Sequence, residues 1–192
     1  LKELYDADGG VNQNVAAMLF DSYTKTNQKA DAAKIKASMD KKLLDQASAN
    51  PTDKNAQAKL LINYASTAQY EKAAKLFDEM NAKGQITTLN EYEAGYISHI
   101  NLPEHEAQTI KIINDGMQKK IIVPSSSVYQ VLGQAYYFSD KAQLAIDAWS
   151  KGAALSTNGE QDLLLAQVLG EESEYTKSRD AAQKALSKGI KE

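Results

Sequence analysis

The feature that most constrains this chain is a figure of large and small side chains that returns at intervals of roughly 33 to 41 residues. Its clearest copy runs from Ser125 to Leu155. There Tyr129, Leu132, Gly133 and Tyr136 recur at helical spacing, Ser139-Asp140 interrupts, and Ala145, Trp149 and Gly152 resume the pattern. Steps of three and four place each set on one face of a helix. The small residues let two antiparallel backbones approach, and the aromatic rings fill the space between them. Weaker copies are Leu60, Leu61, Tyr64 with Tyr70, Ala73, Phe77, Met80, and Leu165, Ala166, Leu169 with Tyr175, Ser178, Ala182, Ala185, Leu186. Ala94 and Gly95 with Ala107 and Ile110 outline a poor copy, and Leu19, Tyr23, Ala32 and Met39 a faint one. Leu61 and Ser178 occupy positions that are small elsewhere, and Ile121 to Pro124 lengthen one link.

Turn and cap residues fall between these sets. Asn50-Pro51 ends a helix, because proline disfavours helical geometry in the residue before it. Thr88 with Glu91 reads as a capping box, Asn158 with Gln161 resembles one, and Ser125 to Ser127 read as a helix N-terminus. Gly84 and Gly189 stand at C-cap positions, and Pro103 suits the first turn of a helix. Only Lys120 to Val123 could be a strand. The pattern predicts an all-α fold of ten helices, near 12-26, 28-48, 53-66, 70-83, 88-101, 103-119, 125-138, 141-155, 159-170 and 174-188.

The order large, large, small, large, then small, large, small resembles the tetratricopeptide repeat (TPR). That resemblance implies a right-handed superhelical α-solenoid of about five helical hairpins, because one hairpin cannot bury its own apolar face. The expected layout is a single array over 1-192, with a degenerate hairpin in 1-50 and four TPR-like hairpins in 51-192. Ala181, Ala185 and Leu186 give the last helix an apolar outer face, so the array is expected to belong to a longer one or to self-associate weakly through that helix.

Composition removes several kinds of chemistry. With 22 basic and 25 acidic side chains the net charge is −3, and Arg179 is the only arginine. No basic stripe exists for nucleic acid. The absence of cysteine removes disulfides and thiolate ligands, and no apolar run reaches the length of a membrane span. Gly9-Gly10 lacks the lysine of a phosphate loop. His99 and His105, with Glu104 and Glu106 beside them, lack the spacing of a helical zinc motif, and Glu171-Glu172 reads as a solvated pair. No catalytic group, metal site or cofactor is expected.

Tyrosine stands out, with 10 residues against 3 Phe and 1 Trp. Tyr23, Tyr64, Tyr70, Tyr136 and Tyr175 fall at packing positions. In a TPR stack the first helix of each hairpin lines a concave groove. The resemblance therefore places Tyr92, Tyr96 and His99, then Gln130, Gln134, Tyr137 and Phe138, then Leu163, Leu164 and Gln167, on a partner-binding surface. Aromatic and amide groups suit a peptide partner. TPRs that clamp a C-terminal carboxylate use Lys and Arg in the groove; Lys25 and Lys59 here have no matching Arg, which disfavours that role.

The run Ala153-Ala154-Leu155-Ser156-Thr157-Asn158-Gly159-Glu160-Gln161-Asp162, closing on Leu165-Ala166-Gln167, joins two repeats, and Lys188-Gly189 follows the last. This is similar to bacterial TPR proteins encoded beside TonB-ExbB-ExbD-type energy-transduction genes. The resemblance covers about 40% of the chain, from Asp115 onward. It implies export to the periplasm, with a signal upstream of Leu1, and a role as an accessory protein-interaction scaffold. A self-assembling structural module and a cytoplasmic TPR adaptor are the alternatives.

Overall fold

The structure, a computed structural model, describes residues 1–7 and 13–190; Gly9-Gly10 and the end of the chain at 191–192 lie outside them. Among the described residues there are eleven helices and no strand. The chain forms two compact units, Leu1–Asn63 and Tyr64–Glu192.

The first unit holds α1 (Lys2–Ala7), α2 (Gln13–Lys25), α3 (Lys29–Ala49) and most of α4 (Lys54–Ser66). Its core is Ala16, Leu19 and Ile35, with Tyr5, Val15, Phe20, Tyr23 and Met39 packed around it. The helix α1 was not expected; six residues without a repeat of apolar spacing carry no sequence signal of their own. α3 stops at Ala49 with Asn50 as C-cap, where Pro51 forbids another turn.

The second unit contains α5 (Tyr70–Ala82), α6 (Leu89–Ile100), α7 (Glu106–Gln118), α8 (Ser126–Phe138), α9 (Ala142–Leu155), α10 (Glu160–Glu171) and α11 (Tyr175–Lys188). From α5 onward each helix packs on the next, and α6 also touches α8. The anchor of α8 on α9 is Gly133, over which the Trp149 indole lies. Trp149 Nε1 donates to the Gln130 carbonyl at 3.2 Å. Farther along, Trp149 joins Ala145, Ile146, Ala166, Val168, Leu169 and Ala181 in one core. Ser178, standing where alanine is usual, donates its hydroxyl to the Ala166 carbonyl at 2.6 Å, so the departure costs no unpaired group.

The turns share one device. Asn27, Ala68, Asp140 and Ser173 adopt positive φ, and the next residue's N–H returns to the carbonyl of Tyr23, Tyr64, Tyr136 and Leu169 respectively. Those bonds are the long closure of a Schellman motif. Gly84, at φ +66, closes α5 in the same way, Gln85 N–H bonding to the Met80 carbonyl.

Three local expectations are corrected. Pro103 does not open α7: it sits in a turn, Glu104 takes φ +62, and the helix starts at Glu106. The later start shifts the packing register. Thr109, Ile112, Ile113 and Gly116 face inward, while Ala107 is exposed and Ile110 only half-buried. Gly116 is the true small position, closed over by Ile122, whose Cδ1 would lie 2.5 Å from an added Cβ. Asn158 and Gln161 form no capping box: Gly159 is the N-cap, and the buried Gln161 amide donates instead to the Ser126 carbonyl at 2.6 Å. Lys120 to Val123 form a turn that buries Ile122, not a strand. The Thr88–Glu91 capping box is complete.

Candidate functional site

α6 begins at Thr88, whose hydroxyl accepts from Glu91 N–H while the Glu91 carboxylate accepts from the Thr88 N–H at 2.9 Å. From there the helix is enclosed on nearly every side. Tyr92 is 1%, Tyr96 4% and His99 0% exposed, so none of the three offers a surface to a partner, contrary to the groove expectation. Their polar atoms are used within the unit. Tyr92 Oη donates to Asp115 Oδ2 at 2.5 Å and accepts from Lys119 Nζ at 3.1 Å, tying α6 to α7. Burial and the Asp115 carboxylate both raise the Tyr92 phenol. For Asp115, burial pushes up, but the hydrogen bonds from Lys119 and Tyr92 outweigh it and the carboxyl ends below its usual range. Burial pushes Tyr96 up to about 12.

His99 lies edge-on to Phe77, with ring centroids 6.1 Å apart. Its Nδ1 is 2.8 Å from Nδ1 of His105, and its Nε2 is 3.4 Å from Asp78 Oδ1. Two neutral imidazoles can share this bond only if one Nδ1 carries a proton and the other does not. Placing the His99 proton on Nε2, toward Asp78, leaves its Nδ1 as acceptor and His105 as donor. Burial lowers the His99 pKa; Asp78 opposes that shift and His105 adds to it. The His99 Nδ1 lone pair is thus spent on the His105 Nδ1–H. Among the described residues no three His, Cys, Asp or Glu side chains converge as metal ligands.

α8 and α10 keep a free face. Ser125 caps α8, its hydroxyl accepting from Val128 N–H at 3.3 Å. Gly133 and Tyr137 both pack on Trp149, the Tyr137 ring centroid 5.8 Å from that of the indole, and the helix also carries Gln130, Gln134 and Phe138. Gln130 is half-buried, Gln134 exposed, Tyr137 half-buried and Phe138 59% exposed. Tyr137 and Phe138 meet edge to face at 5.7 Å. On α10, Gln167 and Leu163 are exposed and Leu164 half-buried. The structure brings Tyr137, Phe138 and Gln167 together through a residue read from sequence as merely solvated: Glu171 accepts from Tyr137 Oη at 2.9 Å and from Gln167 Nε2 at 3.1 Å. The Glu171 hydrogen bond holds the Tyr137 phenol above its ordinary value. Tyr137 and Glu171 stand 34 residues apart, one repeat, so the period itself was the signal that pairs them.

The end of the second unit combines packing with exposure. Ala181 and Ala185 of α11 are buried, while Tyr175 and Leu186, 70% and 74% exposed, face outward. At the C-terminal end of α11 Lys188 Nζ bonds to Asp162 Oδ2 and to the Ala153 carbonyl, each at 2.7 Å.

No protein-family model matches this chain, and no curated protein does. Solved structures match its fold. A crystal structure of MamA gives a TM-score of 0.68 at 15% identity, covering 85% of this chain and 92% of that one. MamA from Desulfovibrio magneticus gives 0.66 at 12% identity, over 90% and 94% of the two chains. A thermophilic TPR protein of Thermus thermophilus gives 0.56 at 13% identity, over 93% and 92%. Likeness at these identities defines the fold alone: the chain is an all-α solenoid of TPR type. No described helix is long and apolar enough to cross a membrane.

Proposed function

We propose that this chain is a non-catalytic scaffold that holds a segment of a partner protein along α8 and α10, in the periplasm, as an accessory to a TonB-type envelope transport system. The observation that carries the docking face is the exposed Phe138 ring, seated on Tyr137, with the exposed Gln134 amide on the same helix and the Gln167 amide on α10 held by Glu171. A large aromatic left in water beside polar donors is what a recognition surface needs. The envelope role is supported by the run from Ala153 to Gln167 and the Lys188-Gly189 turn.

The test is site-specific photocrosslinking in cells. A photoreactive residue at Gln134 is expected to capture a protein of the TonB-ExbB-ExbD system, and one at the exposed Asn114 of α7 is not. Absence of that adduct at Gln134, or equal capture at both positions, overturns the assignment. Self-association through α11 is a second reading, favoured by the exposed Tyr175 and Leu186. Light scattering that stays at the monomer mass across concentrations removes it.

A further inference from the structure

Next to the docking face the second unit has a cleft of about 450 Å³, lined by Tyr137, Phe138, Asp140, Ala142, Val168, Glu171 and Glu172. Its apolar surface comes from the two aromatic rings, with Val168 buried beneath. Its rim comes from the α8–α9 turn and the C-terminal end of α10; the charged residues that line it are all carboxylates, and the exposed Lys141 of the same turn is not part of the lining. Asp140, at positive φ in the Schellman turn, is exposed and lines the mouth. Glu171 is oriented by Tyr137 and Gln167. Neither Asp140 nor Glu172 has an ion-pair partner among the described residues. The C-terminal end of α10 adds its own partial negative charge.

We propose that this cleft takes a lysine or arginine side chain from the partner segment, the aliphatic stem lying against Phe138 and Tyr137 and the cation among Asp140, Glu171 and Glu172. The occupant follows from charge complementarity: an aromatic wall accepts a methylene stem, and uncompensated carboxylates with ring faces accept a cation. An acidic or purely apolar segment would leave those carboxylates to be desolvated without a counter-charge. The proposal rests on the docking face of α8 and α10 and names the chemistry of what sits there.

Two capped octapeptides test it, Gly-Ser-Leu-Lys-Phe-Lys-Ser-Gly and the same sequence with both lysines replaced by glutamate, titrated into the whole chain by amide NMR. The lysine peptide is expected to shift the amides of 137–142 and 168–172, and the glutamate peptide to leave them in place. Binding should weaken about 3- to 10-fold in Asp140→Asn/Glu172→Gln and in Phe138→Ala, and as salt is raised from about 0.05 to 0.5 M. Equal shifts with both peptides, or unchanged affinity in both variants, overturn the proposal. If the wild-type chain instead dimerises and the Asp140→Asn/Glu172→Gln variant does not, the occupant is the basic α11 of a second copy and the proposal fails. A Gln134 adduct that persists undiminished in Asp140→Asn/Glu172→Gln overturns the cation site while leaving the docking face intact. Loss of the adduct from the wild-type chain removes the docking role, while the peptide titration still decides the cleft.

Discussion

The same substitution, glycine to alanine, should have opposite consequences at Gly133 and Gly170. A Cβ on Gly133 would lie 2.5 Å from Trp149 Cδ1 and 2.7 Å from Cε2, whereas carbon atoms prefer separations of about 3.5–4.0 Å. The indole must therefore retreat by roughly 1 Å. It is 4% exposed and packed into the α9–α11 core, so the retreat is resisted, and it stretches the hydrogen bond to Gln130. Overpacking of this kind costs about 1–3 kcal/mol, and the weakened bond about 1 more. Alanine returns about 1 kcal/mol as the better helix former. The net expectation for Gly133→Ala is a loss of about 1–3 kcal/mol. At Gly170 the nearest atom to an added Cβ is Ser178 Oγ at 3.4 Å, an ordinary contact, so only the helix gain remains, up to about 1 kcal/mol. Urea unfolding followed by circular dichroism at 222 nm and by the fluorescence of Trp149, the only tryptophan, measures both. Because solenoids unfold by neighbouring units, the tryptophan signal reports on the part of the chain where both glycines lie. Gly133→Ala as stable as the wild type, or more stable than Gly170→Ala, would refute the close packing of α8 on α9.

Two more expectations concern stability. His99 is enclosed and its pKa lowered, so the unfolded chain takes up a proton that the folded chain refuses. Its contribution is intact above the unfolded value near 6.5 and is lost as pH falls toward the lower folded value, at no more than about 1.4 kcal/mol per pH unit. Urea midpoints at pH 7.5 and 5.5 should differ more in the wild type than in His99→Gln, and equal differences would remove the effect. Ala68 holds φ +58 in its turn, where a Cβ costs about 1 kcal/mol, so Ala68→Gly should raise the thermal midpoint by about 2–4 °C; a fall would show that the left-handed turn is not formed.

The sequence alone determined the existence of ten of the eleven described helices and several of the turns between them. Steps of three and four, proline at position 51, the Thr88–Glu91 box and glycine at position 84 are local signals, read within one or two turns of backbone, and they appear where they were expected. The pairing of small and large side chains was also legible at Gly133 and Trp149, since the hairpin loop fixes which turns face each other. Where the loop lengthens, as around Pro103, that register fails: two extra residues rotate α7 and put Thr109 and Gly116 inward in place of Ala107 and Ile110. The candidate site divides in the same way. α6 and α8 carry similar aromatic and polar residues at matching positions, yet Tyr92 and His99 are consumed by Asp115, Lys119 and His105, while Phe138 stays in water. Helical spacing sets which residues share a face, but only the neighbours that reach across from the next helix decide whether that face remains open.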